Sequence, residues 1–208
     1  MPERAYHESL WESLPEGLEP SDFAARLRFL LAHVQAGDRV LDVGCGEGRF
    51  ASELLRAGAS VVGIDVAAEP LHRARAREPD LDVRLVEDER PWELADSSFD
   101  VVWAGEVIEH VRHTAAWLSQ LRRLLRSGGT LLITTPAHSR LRLLGLALSG
   151  NAFAEHFDPR GEHLRFYSRD SLTRLIEDFG FEQVSVRSAG GAPGARRVLL
   201  LSAIRSRF

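Results

Sequence analysis

The sequence predicts an α/β fold, a mostly parallel sheet covered by helices on both faces. Three observations carry this. Strand-like and helix-like segments alternate along most of the chain. The first apolar strand feeds a turn with glycines at 44, 46 and 48, followed by a helical pattern. The last two strand-like segments are joined by the glycine-rich stretch 189–195, short enough for a hairpin, so one of them runs antiparallel.

Each element has its own local reason. Residues 21–35 place Phe23, Leu27, Leu30, Leu31 and Val34 at helical spacing behind a Ser/Asp start. Residues 39–43 are a short apolar strand, and 47–57 a helix stopped by Gly58. A second strand, 61–64, ends at Asp65; the helix 69–77 stops before Pro79. Strands follow at 81–86 and 99–103. The long helix 114–126 is closed by Gly128-Gly129, and strand 130–134 by Pro136. Residues 137–168 break the rhythm. They hold one amphipathic helix, 141–148, in an otherwise irregular stretch of the kind that forms lids or binding loops. Helix 170–179, capped by Ser168 or Asp170, leads to strands 181–187 and 197–204.

Composition removes several chemistries. All 26 basic residues among the 208 are arginine; against 30 acids the net charge is −4. Without lysine there is no Schiff base for pyridoxal-phosphate or aldolase chemistry, and no P-loop lysine. The mild acidity argues against nucleic acid as the main partner, and the clusters Arg73/Arg75/Arg77 and Arg122/Arg123/Arg126 read as solvated helix faces. Hydrophobic residues at 44% and charged residues at 27% are those of an ordinary globular domain, and the length suits one domain, 1–208. Apolar runs such as 198–201 are too short for a membrane span, and Met1-Pro2-Glu3-Arg4 lacks a signal core. Cys45 is the single cysteine, so no internal disulfide or multi-cysteine metal cluster forms. A cytoplasmic location is the expectation.

The turn 40–50, VLDVGCGEGRF, carries the chemistry. Alternate glycines let a ligand approach the backbone, and the helix N-terminus offers free N–H groups. A ligand-free tight turn would also use glycine, but three of them beside Asp42 favour a bound ligand. A dinucleotide fold wants G-x-G-x-x-G, and the third position here is Arg49. Asp42 and Glu47 put negative charge beside the turn, which suits an ammonium or sulfonium and repels a pyrophosphate. Asp65, at the end of the second strand, can take both hydroxyls of a ribose or cap the next helix. Asp88 can reach an adenine amino group or sit exposed on its loop. Cys45 reads as a small buried residue rather than a nucleophile.

Taken in order, VLDVGCGEGRF (40–50), VVGIDV (61–66), DSSFDVVWAGEVIEHV (96–111), LRRLLRSGGTLLITTP (121–136) and HLRFYSRDSLTRLIEDFGF (163–181) resemble the class I S-adenosylmethionine-dependent methyltransferases of the small-molecule type, and among them the ubiquinone-pathway O-methyltransferase-like group. The resemblance covers most of residues 37–205. It implies a doubly wound, Rossmann-like sheet of seven strands with the last-placed strand antiparallel. It also implies that Gly44 and Gly46 lie against the methionine part of the cofactor, with Asp65 at the ribose and Asp88 on the adenine side; Asp42, Cys45 and Val66 count among the cofactor-binding residues. The backbone from Ala104 to Glu106 then passes the methionine moiety. Residues 91–95 depart from the family's commoner Leu-Pro-Phe-type run. Residues 1–36, with Tyr6, His7 and Trp11, are expected to form a helical cap over the pocket, and 137–168 a lid.

The implied reaction is in-line methyl transfer, in which the protein mainly aligns the partners and excludes water. An oxygen nucleophile must also lose a proton, and histidine is the usual agent. His110 and His163 are the leading candidates, with His113 and His156 behind them; each could equally be a surface or capping residue. Glu106, Glu109, His110 and His163 form a candidate Mg²⁺ or Mn²⁺ site, as in ubiquinone-pathway and small-RNA 2′-O-methyltransferases, or they merely order the loop. Ala104-Gly105-Glu106-Val107 stands where amino-methylating enzymes often carry Asn/Asp-Pro-Pro-Tyr, which favours a small-molecule acceptor methylated at oxygen. Phe153, Phe157, Phe166 and Tyr167 suggest that this acceptor is partly apolar. The alternatives are a nicotinamide-dependent oxidoreductase, a non-catalytic S-adenosylmethionine-binding module, and RNA 2′-O-methylation.

Overall fold

The structure is a computed structural model that describes residues 3–87, 90–138, 140–156, 163–192 and 196–207. Seven strands form one sheet: β1 (Arg39–Val43), β2 (Ser60–Asp65), β3 (Asp82–Leu85), β4 (Phe99–Gly105), β5 (Leu125–Pro136), β6 (Phe181–Ala189) and β7 (Val198–Arg205). The sheet order is β3-β2-β1-β4-β5-β7-β6. The strands β1 to β5 pair in parallel, and β7 runs antiparallel to both β5 and β6. The expected hairpin therefore forms, and β7 is its reversed strand.

Helices α1 (Glu3–Ser13), α2 (Phe23–Leu31), α3 (Arg49–Arg56) and α4 (Ala68–Arg77) precede β3. Helices α5 (Thr114–Leu124), α6 (Arg140–Ala147), α7 (Gly150–His156) and α8 (Arg169–Asp178) follow β4. Alternation along each strand sorts side chains onto two faces. Leu41, Val43, Ile64, Val102 and Ile133 pack with Leu118 and Leu121 of α5 and Ile176 of α8. Val40, Val61, Val101 and Trp103 pack on the opposite face with Phe29, Phe50, Leu54 and Leu71. Both faces are dry, which is why these strands read as near-continuous apolar runs.

The boundaries shift for identifiable reasons. Helix α3 starts at Arg49 rather than 47, because Gly48 holds a left-handed φ of 73° that ends the turn. Helix α5 stops at Leu124, since Leu125 is already extended and pairs with Phe99 across an irregular register. Gly128-Gly129 thus lies inside the long strand β5 instead of closing a helix. The stretch 137–168 contains two helices, α6 and α7, where one was expected. Ser168 caps α8 by accepting the Ser171 N–H in a reciprocal capping box.

Candidate active site

The C-terminal ends of β1, β2 and β4 open onto one cavity of about 230 Å³. A crevice at this edge of a parallel sheet is where α/β folds hold ligands. Its wall includes Gly44, Asp65, Val66, Glu106 and His110, residues from three separate stretches of sequence. Helix α1 closes the opposite side with His7, Leu10, Trp11 and Leu14.

The glycine turn is knitted to β2. The Gly44 and Cys45 N–H groups donate to the Ile64 carbonyl at 2.8 and 3.0 Å. Asp65 accepts the Gly46 N–H at Oδ2 and the Ala67 N–H at Oδ1, both at 3.0 Å. It therefore does the work of a turn anchor as well as facing the cavity. Burial pushes its carboxyl upward, and the Ala67 and Gly46 N–H groups pull it back. Gly44 at φ 66° could carry no side chain, because a Cβ would stand 2.6 Å from Val107 Cγ2.

Asp42, Cys45 and Ala104 are buried behind this wall. Strand alternation points Asp42 toward the face of α2 and α3. Burial and then the neighbouring Asp65 raise its carboxyl to about 7, and its Oδ2 has no hydrogen-bond partner. Burial pushes the Cys45 thiol well above its ordinary value, so it is an inert packing residue. Asp88 and Phe157 lie outside the described residues.

Glu47 does not face a ligand, as the sequence pattern suggests it would. Its carboxylate is 4% exposed and binds the Gly17 N–H, Arg73 Nη1 and Arg77 Nη2 at 3.0–3.2 Å. Its charge is spent inside the protein. The negative charge beside the cavity comes from Asp65 and Glu106, with Asp42 behind them.

At the end of β4 the backbone turns through Glu106 at φ 59°, whose N–H donates to the Thr134 carbonyl at 2.9 Å. The loop that follows meets the segment after the lid. The Glu109 carbonyl accepts the Leu164 and Arg165 N–H groups at 2.9 and 3.2 Å. Arg165 also donates to the carbonyls of Val111 and Arg112. This docking sets the His163 ring 5.0 Å from that of His110. Ligand atoms of Glu109, His110 and His163 lie within 4.8 Å of one another. Three of the four residues of the proposed metal set therefore meet. Glu106 is not in that group; Thr134 and the charge of Arg26 act on its carboxyl instead. Glu109 is almost wholly buried, and burial with the nearby Glu106 raises its carboxyl to about 8; Thr135 Oγ1 donates to its Oε2 at 3.0 Å.

His113 is an exposed residue at the N-terminus of α5. His156 packs against His138 and Phe166, with ring centroids 5.4 and 5.5 Å apart. Neither lines the cavity. Sequence reasoning missed Arg26, which is 3% exposed and stacks on Phe50 and Trp103 at 4.8 and 5.8 Å. Burial lowers its pKa, while Glu106, Glu109, Asp42 and Asp22 act to keep it charged. Its signal was present: Arg26 interrupts the apolar face set by Phe23, Leu27 and Leu30. Trp92 and Trp117, which also line the cavity, carried no comparable mark.

The methyltransferase-domain family model matches residues 16–186. The chain is 33% identical over 175 residues to the ubiquinone biosynthesis O-methyltransferase of Methylococcus capsulatus, covering 81% of this chain and 73% of that one. It is 35% identical over 154 residues to the protein of the same name from Dinoroseobacter shibae, covering 71% of this chain and 61% of that one. In fold it is similar to an S-adenosylmethionine-dependent methyltransferase from Mesorhizobium loti, with a TM-score of 0.70 at 20% identity over 89% of this chain and 98% of that one. The 1,6-didemethyltoxoflavin-N1-methyltransferase of Burkholderia thailandensis, solved with 1,6-didemethyltoxoflavin and S-adenosylhomocysteine, has a TM-score of 0.69 at 18% identity over 98% of this chain and 84% of that one. The fold and this crevice define a methyltransferase architecture. The chain belongs to the S-adenosylmethionine-dependent methyltransferases. No helix among the described residues is long and apolar enough to cross a membrane.

Proposed function

We propose that this protein methylates a hydroxyl oxygen of a small, partly apolar aromatic molecule, with His110 removing the proton. The observation that carries this reading is that Gly44, Asp65 and Val66 line the same cavity as His110. Bound S-adenosylmethionine supplies a methyl group on a sulfonium. The groups of this chain do the rest. Gly44 and the turn it opens seat the methionine end, and Asp65 and Val66 seat the ribose. Asp65 and Glu106 supply the negative charge that favours a cationic centre. Arg26, a buried cation whose Nε has no partner, offsets the acids around Glu106. Leu10, Trp11, Leu14 and Trp117 exclude water, which strengthens alignment and electrostatics alike. His110 takes the hydroxyl proton at an imidazole nitrogen as the oxygen attacks.

The wall of tryptophan and leucine supports a small molecule over RNA, since a nucleic-acid groove would need cations free to meet phosphate. The activity for which the relatives are named, ubiquinone biosynthesis O-methylation, supports an aromatic hydroxyl as the acceptor. The acid and two imidazoles of Glu109, His110 and His163 are also a donor set that fits a divalent ion. Two nitrogen ligands suit Mn²⁺ better than Mg²⁺. An ion held there would lower the pKa of the acceptor hydroxyl. We read 1–36 as the cap and 137–168 as the lid of one domain, and place the protein in the cytoplasm on its composition.

The test is a methyl-acceptor screen with labelled S-adenosylmethionine and a panel of catechols, phenols and amines, run with EDTA and with Mn²⁺ restored. Label on a phenolic oxygen is the expected result. Label on nitrogen alone, or calorimetric binding of NAD(H) but not S-adenosylmethionine, overturns the reading. Full turnover in EDTA removes the metal.

A further inference from the structure

We propose that α1 is a gate over the cofactor seat, latched to α4 through Glu8 and through the carbonyls at its C-terminal end, and that cofactor exchange requires the latch to open. This rests on reading the cavity as the S-adenosylmethionine seat.

The two helices satisfy each other's ends. Helix α4 has no side-chain cap of its own, because its N-cap residue is Ala67. Glu8 of α1 fills that role from a distance: its carboxylate accepts the Ala68 N–H at 2.7 Å and the Glu69 N–H at 3.0 Å. A carboxylate there meets both unpaired N–H groups and the positive end of the helix. At the other end the roles reverse. Arg73 of α4 donates Nη2 to the Trp11 carbonyl at 2.9 Å and Nη1 to the Leu14 carbonyl at 3.0 Å. Those are carbonyls of the last turn of α1 and just beyond it, where a cation is favoured.

The latch is built onto the cofactor turn itself. Arg73 Nη1 also reaches Glu47 Oε1 at 3.2 Å, and Glu47 lies between Gly46 and Gly48. The same carboxylate holds the Gly17 N–H, and Arg49 donates to the Gly17 carbonyl, so the chain leaving α1 is tied down at the glycine turn. When the latch is shut, the Trp11 indole lies 3.0 Å from where a Cβ on Gly46 would stand. His7, Leu10, Trp11 and Leu14 then cover whatever occupies the cavity next to Gly44 and Asp65.

Helix α1 is held differently from the helices packed on the sheet. None of its described side chains from Tyr6 to Ser13 is buried, whereas the helices packed on the sheet bury whole faces. It is attached by polar bonds at Glu8 and at its C-terminal end and by half-buried Leu10 and Trp11. Segments with few buried apolar contacts open at lower free energy than the core. Breaking a few helix-end bonds therefore releases the cover while the sheet stays intact.

The experiment follows release of radiolabelled S-adenosylhomocysteine into excess unlabelled ligand for the wild type, Glu8→Ala and Arg73→Gln. Hydrogen exchange of residues 3–14 is measured in parallel, with and without ligand. Losing these bonds is expected to speed release about tenfold and to remove exchange protection from 3–14, while strands β1, β4 and β5 keep theirs. Unchanged release rates in both variants overturn the gate. Should Arg73→Gln fail to fold, Glu8→Ala decides alone, since Glu8 bonds only to the first two N–H groups of α4. If the wild type binds neither S-adenosylmethionine nor S-adenosylhomocysteine by calorimetry, the cofactor reading falls and the gate with it. Binding with unaltered release rates defeats the gate alone.

Discussion

Asp42 offers a direct measure of what it costs to keep an acid under the glycine turn. It is 2% exposed, and burial lifts its carboxyl from 3.8 to about 7. Between those values the folded protein holds a proton that the unfolded chain has lost. Stability then falls as pH rises. From pH 5 to pH 8 the unfolded chain gains about 4 kcal/mol from ionising this group, at about 1.4 kcal/mol per pH unit, and the folded protein gains only about 1 kcal/mol. Asp42 alone should therefore remove roughly 2–3 kcal/mol of stability over that range. Asp42→Asn keeps the size and removes the titration. Urea unfolding of both proteins at pH 5, 6, 7 and 8 is expected to show the wild type losing that much more stability than the variant. Parallel pH profiles for the two would refute the burial argument.

Three further outcomes follow from the site. Glu109, with its carboxyl pushed from 4.5 to about 8, keeps its proton in the folded protein at pH 7, where the unfolded chain has lost it; between pH 4 and pH 7 the wild type should lose about 3 kcal/mol of stability that Glu109→Gln keeps, and the variant's advantage should widen further by pH 9, read by chemical denaturation. Gly44→Ala introduces a Cβ 2.6 Å from Val107 Cγ2 at a left-handed φ; a loss of about 1–2 kcal/mol in thermal unfolding and a weaker calorimetric signal for S-adenosylmethionine are expected. His110→Ala is expected to slow methyl transfer by about 100-fold or more while cofactor affinity stays within about threefold, and equal losses in both would show that His110 only shapes the pocket.

The parts of the site that local physics dictates were legible in the chain. The strand-turn-helix of 39–56 was visible because alternate glycines, an apolar run and a helix-period pattern lie side by side. Asp65 was legible because an acid closing a buried strand has few roles. Elsewhere the sequence misled for a physical reason. Glu47 looked like a ligand charge because spacing says only that it is beside the turn. Which way it points was settled by Arg73, Arg77 and the Gly17 N–H, the last of these thirty residues earlier. Gly128-Gly129 looked like a helix stop, yet Leu125 and Thr130 on either side pair with β4, so the two glycines fall in the irregular part of β5.

By itself, the sequence determined the order of elements, the two apolar faces of the sheet and the exclusion of lysine chemistry. Those follow from periodicity and composition, which act between near neighbours. Tertiary structure alone decided that β7 is the reversed strand, that the Glu109 carbonyl draws His163 to His110, and that Arg26 is buried among acids. It also decided that Glu8 reaches across sixty positions to cap α4. Each of these is a long-range satisfaction of a strand edge, a carbonyl, a charge or a helix end. Local sequence shows that such groups need partners, and only the folded chain shows which partners they find.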